Sequence, residues 1–281
     1  MQQGEGEIRQ IVPREKLDFG LDGDIPKYWF GGDPFKTRLF DAMSTLFPEG
    51  EKFFITCVRD YRERITDPEL QKQVTAFIGQ EAMHGREHIE YNEALDADGV
   101  PAAAMERLVI RLLKIGKMLP KADQLAITIA LEHFTAILAD ILLREPRLLD
   151  GAEPRFAALW RWHALEETEH KAVAYDVYQA VIGKGFGAWL RRSVALAALT
   201  LIFWSLVVPF HLIIVARDGK LFDLKGWWTL FKFHWLSPGA LRRIILPYFD
   251  YYRPGFHPWQ HDNREFLSGI DSIADAYRAA A

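Results

Sequence analysis

Cysteine is nearly absent from this sequence: Cys57 is the only one in 281 residues. No disulfide can form within the chain, which favours a cytosol-facing location, where thiols stay reduced. Long basic runs are also absent, and the net charge is −4 at neutral pH. A protein that binds nucleic acid needs a basic surface to neutralise the phosphates. We therefore expect no nucleic-acid partner.

The chain before residue 183 also lacks the strict apolar/polar alternation of β-strands. Prolines at helix starts and glycines after helix ends divide it into helical segments. These segments cover residues 33–65 with a break near Pro48, 68–95, 102–117, 122–143 and 155–182. We predict an all-α protein made of an irregular lead-in without a signal-peptide pattern, a helical bundle and a hydrophobic, aromatic-rich helical extension, over residues 1–32, 33–187 and 188–281.

One stretch, residues 194–215, carries no charge, and basic residues flank it at both ends. At about 1.5 Å per residue, a helix of this length reaches roughly 33 Å and could cross a hydrocarbon core. The aromatic and basic residues of 222–260 are typical of a membrane interface. Pro209 and His211 favour a helix buried against the bundle instead. The chain is thus expected on the cytoplasmic side of the inner membrane with lipid as a partner, or in the cytoplasm if this helix is buried.

Glu81 and His84 form a Glu-x-x-His pair within the predicted helix 68–95. Residues three apart lie on one face of a helix, so the carboxylate and the imidazole can reach one metal ion. This donor pair suits iron or manganese, and also zinc. A single pair is weak evidence, because glutamates are common on helix surfaces.

A second motif places His163, Glu167 and His170 at positions i, i+4 and i+7 of a largely apolar helix. The three side chains form one stripe. The alternative is a polar seam on the surface, but two imidazoles and one carboxylate on a single stripe have little structural reason to exist. The motif favours a second set of metal ligands.

Dinuclear centres in helical bundles add one glutamate from each of the two remaining helices. Glu51 lies on the apolar stripe of its helix, whereas Glu49 does not, and Glu132 is also flanked by apolar residues. A charge buried there is costly without a partner. Four carboxylates balance the charge of two divalent ions. The six predicted ligands are Glu51, Glu81, His84, Glu132, Glu167 and His170.

Other polar residues have less specific assignments. His163 is a candidate seventh ligand. His88 lies at i+7 from Glu81. We expect it to hydrogen-bond a metal ligand without binding the metal itself. The alternatives are that His88 is itself a ligand or a histidine of the core. Thr135 is expected to line the cavity. Three residues neighbour the ligands in sequence but lie outside the helical stripes that carry them. They are expected to be solvated or to contact a metal ligand without binding metal: His133, Glu166 and Glu169.

The ligand segments GEKFF, QEAMHGREH, LEHFTA and WHALEETEHK resemble a bacterial family described as predicted metal-dependent hydrolases, within the ferritin-like superfamily. The C-terminal YYRPGFHPW segment is also typical of that family, and the resemblance covers roughly residues 30–260. It implies a ferritin-like four-helix bundle that binds two metals. The arrangement of His163, Glu167 and His170 is similar to that of di-iron arylamine N-oxygenases, which carry an extra histidine ligand at the position of His163.

The first function expected from these patterns is an O₂-dependent oxidase or oxygenase with two iron ions, acting on an apolar small molecule with a possible electron donor. Manganese or zinc could replace iron. The alternative is a metal-dependent hydrolase of an ester or phosphate, because a dinuclear site can also activate water. A third possibility is non-catalytic metal binding. The sequence does not predict an oligomeric state.

Overall fold

The computed structural model describes residues 10–278, which contain helices and no β-strand. The predicted all-α class is confirmed. The α-helices are α1 (Pro34–Ser44), α2 (Phe47–Arg59), α3 (Pro68–Ala97), α4 (Ala102–Gly116), α5 (Lys121–Arg144), α6 (Pro154–His170), α7 (Val173–Val181), α8 (Phe186–Arg217), α9 (Leu224–Trp235), α10 (Ala240–Asp250) and α11 (Ile270–Ala276).

Helix starts follow the capping signals in the sequence. The Asp33 carboxylate accepts hydrogen bonds from the backbone N–H groups of Phe35 and Lys36, and Pro34 occupies the first turn of α1. The Asp67 carboxylate accepts from the N–H of Glu69 in the same way at the start of α3. Each cap satisfies donors that a helix start leaves open. The starts predicted at residues 33 and 67 are confirmed.

Four helices form the bundle that positions the candidate site. Helix α2 packs along α3, and α5 packs along α6. Contacts of α2 with α5 and of α3 with α6 join the two pairs. Apolar faces fill the interior, and Phe53, Phe77 and Ile129 are almost fully buried. Polar residues within this bundle are therefore shielded from water.

Two predicted helix boundaries are wrong. The segment expected to reach residue 65 ends at Arg59 and continues as a short 3-10 turn, Arg62–Arg64. The helix predicted over 155–182 breaks between α6 and α7 at Lys171. No proline or glycine marks this break. Lys171 is buried there, and its ammonium donates to the His261 carbonyl and the Asn263 side chain, so long-range contacts accompany the interruption.

Helix α8 contains the uncharged run but begins earlier, at Phe186, and keeps Pro209 in its interior. It packs on α1 and α5, and α10 packs on α5 and α9. Leu196 and Phe210 are buried, whereas Leu201 is 75 % exposed, so the helix has one covered and one open side. By length and composition α5 and α8 could each cross a membrane, but 67 % of the apolar window of α5 is buried.

Residues 10–32 pack against the bundle although they form no α-helix. The Phe19 ring lies 5.5 Å from the Trp162 ring, and Trp29 stacks on Phe156 at 4.6 Å between centroids. This irregular segment covers one side of α6 and brings Arg14 into the interior.

Candidate metal centre

All the predicted ligands lie together inside the bundle. Each is at most 3 % exposed, although each carries an ionisable side chain. Glutamate and histidine are rarely buried to this degree without partners. The residues come from α2 (Glu51), α3 (Glu81 and His84), α5 (Glu132) and α6 (His163, Glu167 and His170).

The side chains form groups of three whose ligand atoms lie within 4.8 Å of one another. One group contains Glu81, Glu132 and His170. A second contains His84, His163 and Glu167, and it shares no residue with the first. The buried cluster therefore offers room for two separate sets of donors.

Glu51 connects these sets. It forms a third group with Glu81 and His84, and a fourth with His88 and His163. Its Oε1 atom lies 3.9 Å from His163 Nε2. A carboxylate at this position borders donors from both sets.

Three of the carboxylates have no hydrogen-bond partner on either oxygen: Glu51, Glu81 and Glu132. Burial raises the pKa of all three carboxyl groups, and neighbouring carboxylates raise the pKa of Glu51 and Glu132 further. A buried, unpartnered carboxyl group costs free energy, and several together also repel one another. A cation among them would remove both costs.

The Nδ1 atom of His84 has no hydrogen-bond partner in this cluster. The His84 Nε2–H points at Glu166 Oε2, 3.1 Å away, while Arg14 Nη1 donates to Glu166 Oε1 at 3.0 Å. Burial raises the pKa of Glu166 to about 8, although the neighbouring Arg14 guanidinium lowers it. When the Glu166 carboxyl group is ionised and accepts from His84 Nε2, His84 Nδ1 carries the lone pair. This Nδ1 atom is buried without a partner.

His170 is also oriented by hydrogen bonds from outside the cluster. Gln80 Nε2 donates to Glu169 Oε2 at 2.6 Å and to the Val12 carbonyl, which fixes its amide oxygen toward His170. The Gln80 oxygen accepts from His170 Nδ1 at 2.9 Å. His170 Nε2 is therefore the nitrogen that faces the cluster, and it lies 3.0 Å from Glu81 Oε1. Burial opposes the charged form, but the Glu167 and Glu81 carboxylates raise the pKa of His170.

A chain of hydrogen bonds also indicates that the Nδ1 atom of His163 carries a proton. Asn92 Nδ2 donates to Glu106, so its Oδ1 atom is the acceptor for the Ser44 hydroxyl, at 2.8 Å. With its proton used there, Ser44 Oγ accepts from His88 Nδ1 at 2.9 Å.

The bare Nε2 of His88 then accepts from His163 Nδ1, also at 2.9 Å. His163 Nε2 is then the nitrogen that faces Glu167 Oε1, at 3.1 Å. His88 thus fixes the orientation and tautomer of a ligand candidate. Outer partners of this kind are typical of metal-binding histidines.

The buried atoms fit divalent metal ions. Three imidazoles direct a nitrogen into the cluster, and three carboxylates have no hydrogen-bond partner. His163 Nε2 and Glu167 Oε1 lie 3.1 Å apart, and both could bind one cation. Imidazole and carboxylate together suit iron, manganese or zinc.

Several outer partners were not predicted from the sequence. Arg14 comes from the lead-in, and Gln80 precedes a ligand without belonging to either motif. Ser44 and Asn92 are also new. A signal for Arg14 existed, because the two extra glutamates beside the ligands, Glu166 and Glu169, require a cation if they are buried. Both are buried, contact Arg14 and are not solvated.

His133 lies outside these groups, where it is buried against the Tyr251 ring at 4.7 Å, and burial lowers its pKa to about 3. Thr135 donates from Oγ1 to Glu167 Oε2 at 2.7 Å and lines a cavity beside the cluster, as expected.

This cavity has a volume of about 110 Å³ and is almost entirely apolar. Its wall includes His163 and Glu167 of the candidate centre, and also Phe203, Trp204 and Leu241 of the C-terminal helices. A molecule in the cavity would therefore touch both the candidate centre and the extension.

No curated protein and no solved structure matches the chain. A family described as predicted metal-dependent hydrolase matches residues 13–262. The match includes every ligand candidate, and it also includes Arg14 and helices α8 to α10. The family description supports metal dependence and enzymatic hydrolysis, and it supports the hydrolase alternative better than the oxidase. The chain belongs to the family of predicted metal-dependent hydrolases.

Proposed function

We propose that the chain is a hydrolase that uses two metal ions to cleave an ester with an apolar body. The observation that carries this proposal is the set of inward-facing, unpartnered nitrogen and oxygen atoms in the buried cluster. The proposed ligands are Glu51, Glu81, His84, Glu132, His163, Glu167 and His170.

The metal ions, when bound, would polarise the scissile carbonyl group and activate a water molecule. The side chains of the protein supply orientation and charge. Glu166, Gln80 and His88 each hold the remote nitrogen of one ligand histidine. Thr135 holds one oxygen of Glu167 at the cavity wall. Such outer contacts keep ligands in a productive geometry.

The cavity lining favours an uncharged ester over a phosphate. It contains no lysine or arginine that could neutralise a phosphate. Its ionisable residue away from the centre, His234, has its pKa lowered to about 4 by burial and is neutral at pH 7. Apolar side chains would hold the acyl or alcohol group and keep bulk water away.

O₂-dependent oxidation by two iron ions is the second candidate. One observation favours it: the cavity beside the centre is almost entirely apolar, and the Thr135 hydroxyl on its wall donates to Glu167. An almost entirely apolar cavity also suits oxidation of a hydrocarbon group. An electron donor would then be required.

The two candidates are separated by testing metal-loaded chain with p-nitrophenyl esters of increasing acyl length and with p-nitrophenyl phosphate. We expect ester hydrolysis that rises with acyl length, persists without O₂ and is lost with EDTA. Glu167→Gln should abolish turnover, and the surface control Glu49→Gln should not. Iron-dependent O₂ consumption without ester or phosphate hydrolysis would contradict the hydrolase and support oxidation.

A further inference from the structure

Helices α8, α9 and α10 expose large apolar side chains around one groove, which we name the α8–α10 face. The exposed side chains include Leu246 at 77 %, Phe249 at 61 % and Trp228 at 54 %. Leu212 of α8 and Trp235 of α9 are also exposed and line the same groove as Phe249. Clusters of exposed apolar residues on this scale mark interaction surfaces.

The same surface is basic, although the whole chain is acidic. Residues 224–249 contain Lys225, Lys232, Arg242 and Arg243 and no acidic residue, whereas the net charge of the chain is −4. All four basic residues are exposed.

In α9, Lys225, Trp228, Lys232 and Trp235 follow the i, i+3, i+7, i+10 spacing of one helical stripe. Alternating tryptophan and lysine on one stripe suits the headgroup layer of a membrane, where the ring is embedded and the ammonium meets phosphate. The positive charge of this surface attracts anionic lipid, whereas it would repel the same basic surface on a second copy of the chain.

The groove leads toward the candidate centre. It has a volume of about 550 Å³, which is within the range of ligand pockets, roughly 300–1,000 Å³. It shares four wall residues with the inner cavity: Leu39, Trp204, His234 and Leu241. The inner cavity alone is too small for a ligand of ordinary size, so the body of a long substrate would lie in the groove.

Helix α8 is long enough to span a bilayer, but one side of it belongs to the core. Phe210 and Ile214 are buried, and the neutral His211 ring donates from Nε2 to the Phe35 carbonyl at 3.0 Å. Spanning would remove these contacts with α1. A helix that is covered on one side and apolar on the other suits the plane of the interface.

We propose that the α8–α10 face docks on an anionic lipid bilayer without crossing it, and that its groove passes an apolar substrate from the bilayer to the metal centre. The proposed docking on lipid does not depend on catalysis. The proposed passage of substrate rests on the proposed hydrolase function.

Docking is tested by sedimentation of the full chain with vesicles of equal phosphatidylglycerol and phosphatidylcholine, and with phosphatidylcholine alone. We expect binding to the anionic vesicles that weakens with salt. Each basic residue near an anionic surface contributes on the order of 1 kcal/mol, so Lys225→Glu/Lys232→Glu should lower partitioning by about 30-fold or more. The charge-matched control Lys52→Glu/Lys72→Glu should bind like the unchanged chain.

Three results would overturn docking: no binding to anionic vesicles, equal loss in both double variants, or a stable dimer in which the face is covered by a second copy. Resistance of vesicle-bound chain to alkaline carbonate would show spanning and overturn the interfacial geometry.

Substrate entry is tested with Ile244→Trp, which enlarges a residue that lines the groove but not the inner cavity. We expect at least tenfold lower kcat/KM for a long-chain ester and little change for an acetate ester, with metal content and vesicle binding unchanged. Equal effects on both esters would overturn the proposed route. A chain that binds vesicles but hydrolyses no ester would overturn the hydrolase function and leave docking supported.

Discussion

Replacing Glu51 by glutamine should have opposite effects on the metal-free and the metal-loaded protein. Glu51 and Glu81 place candidate ligand oxygens within 4.8 Å, and neither carboxylate has a hydrogen-bond donor. Two full charges at that distance repel by about 3.5 kcal/mol at an effective dielectric constant of 20. Partial protonation reduces this, so we expect Glu51→Gln to stabilise the metal-free chain by about 1–3 kcal/mol and to raise its Tm by about 3–8 °C.

With metal present, the sign should reverse, because the unchanged chain gains binding free energy that the variant loses. The assay is thermal unfolding followed by circular dichroism, with EDTA and with added metal. Glu49→Gln is the matched control, since Glu49 lies two residues away on α2 and pairs with the exposed Lys52. A lower Tm for Glu51→Gln in EDTA, or equal stabilisation of both proteins by metal, would refute the electrostatic reasoning.

Three further substitutions test separate parts of the centre. His163→Ala should retain at least one ion but lower turnover by about tenfold or more, and unchanged turnover would exclude His163 as a ligand. His88→Phe removes the acceptor of the His163 Nδ1 proton and should weaken metal affinity by roughly 10–100-fold in a competition with a chromogenic chelator; unchanged affinity would contradict the tautomer argument. Arg14→Leu leaves the buried Glu166 carboxylate without its cation and should cost about 3–5 kcal/mol in urea unfolding, whereas the exposed control Arg147→Leu should cost under about 1 kcal/mol. Equal losses in the two arginine variants would show that the buried network contributes no special stability.

Local sequence signals predicted the elements that depend on neighbouring residues. Asp33 and Asp67 cap helices whose starts were expected, because a cap is decided within three residues. The spacing of Glu81 with His84, and of Glu167 with His170, placed each pair on one helical face. The structure then brings these pairs together with Glu51 and Glu132.

Contacts between distant segments could not be predicted in this way. Arg14 reaches Glu166 across 152 positions, and Lys171 at the break after α6 is held by residues 90 or more positions later. For the same reason, the sequence could not predict whether α8 crosses a membrane. Hydrophobicity identified residues 194–215, but only the packing of α8 shows which side is covered. The domain division, the superfamily assignment and the location in the cell stay predictions.

The most direct test of the account is the number of metal ions per chain, measured by inductively coupled plasma mass spectrometry after anaerobic loading and desalting of the full protein. The account predicts two ions in the unchanged chain and one or none in Glu81→Ala, because Glu81 belongs to two of the ligand groups. An unchanged chain that binds no metal, or a Glu81→Ala chain that keeps two ions, would contradict the proposed dinuclear centre.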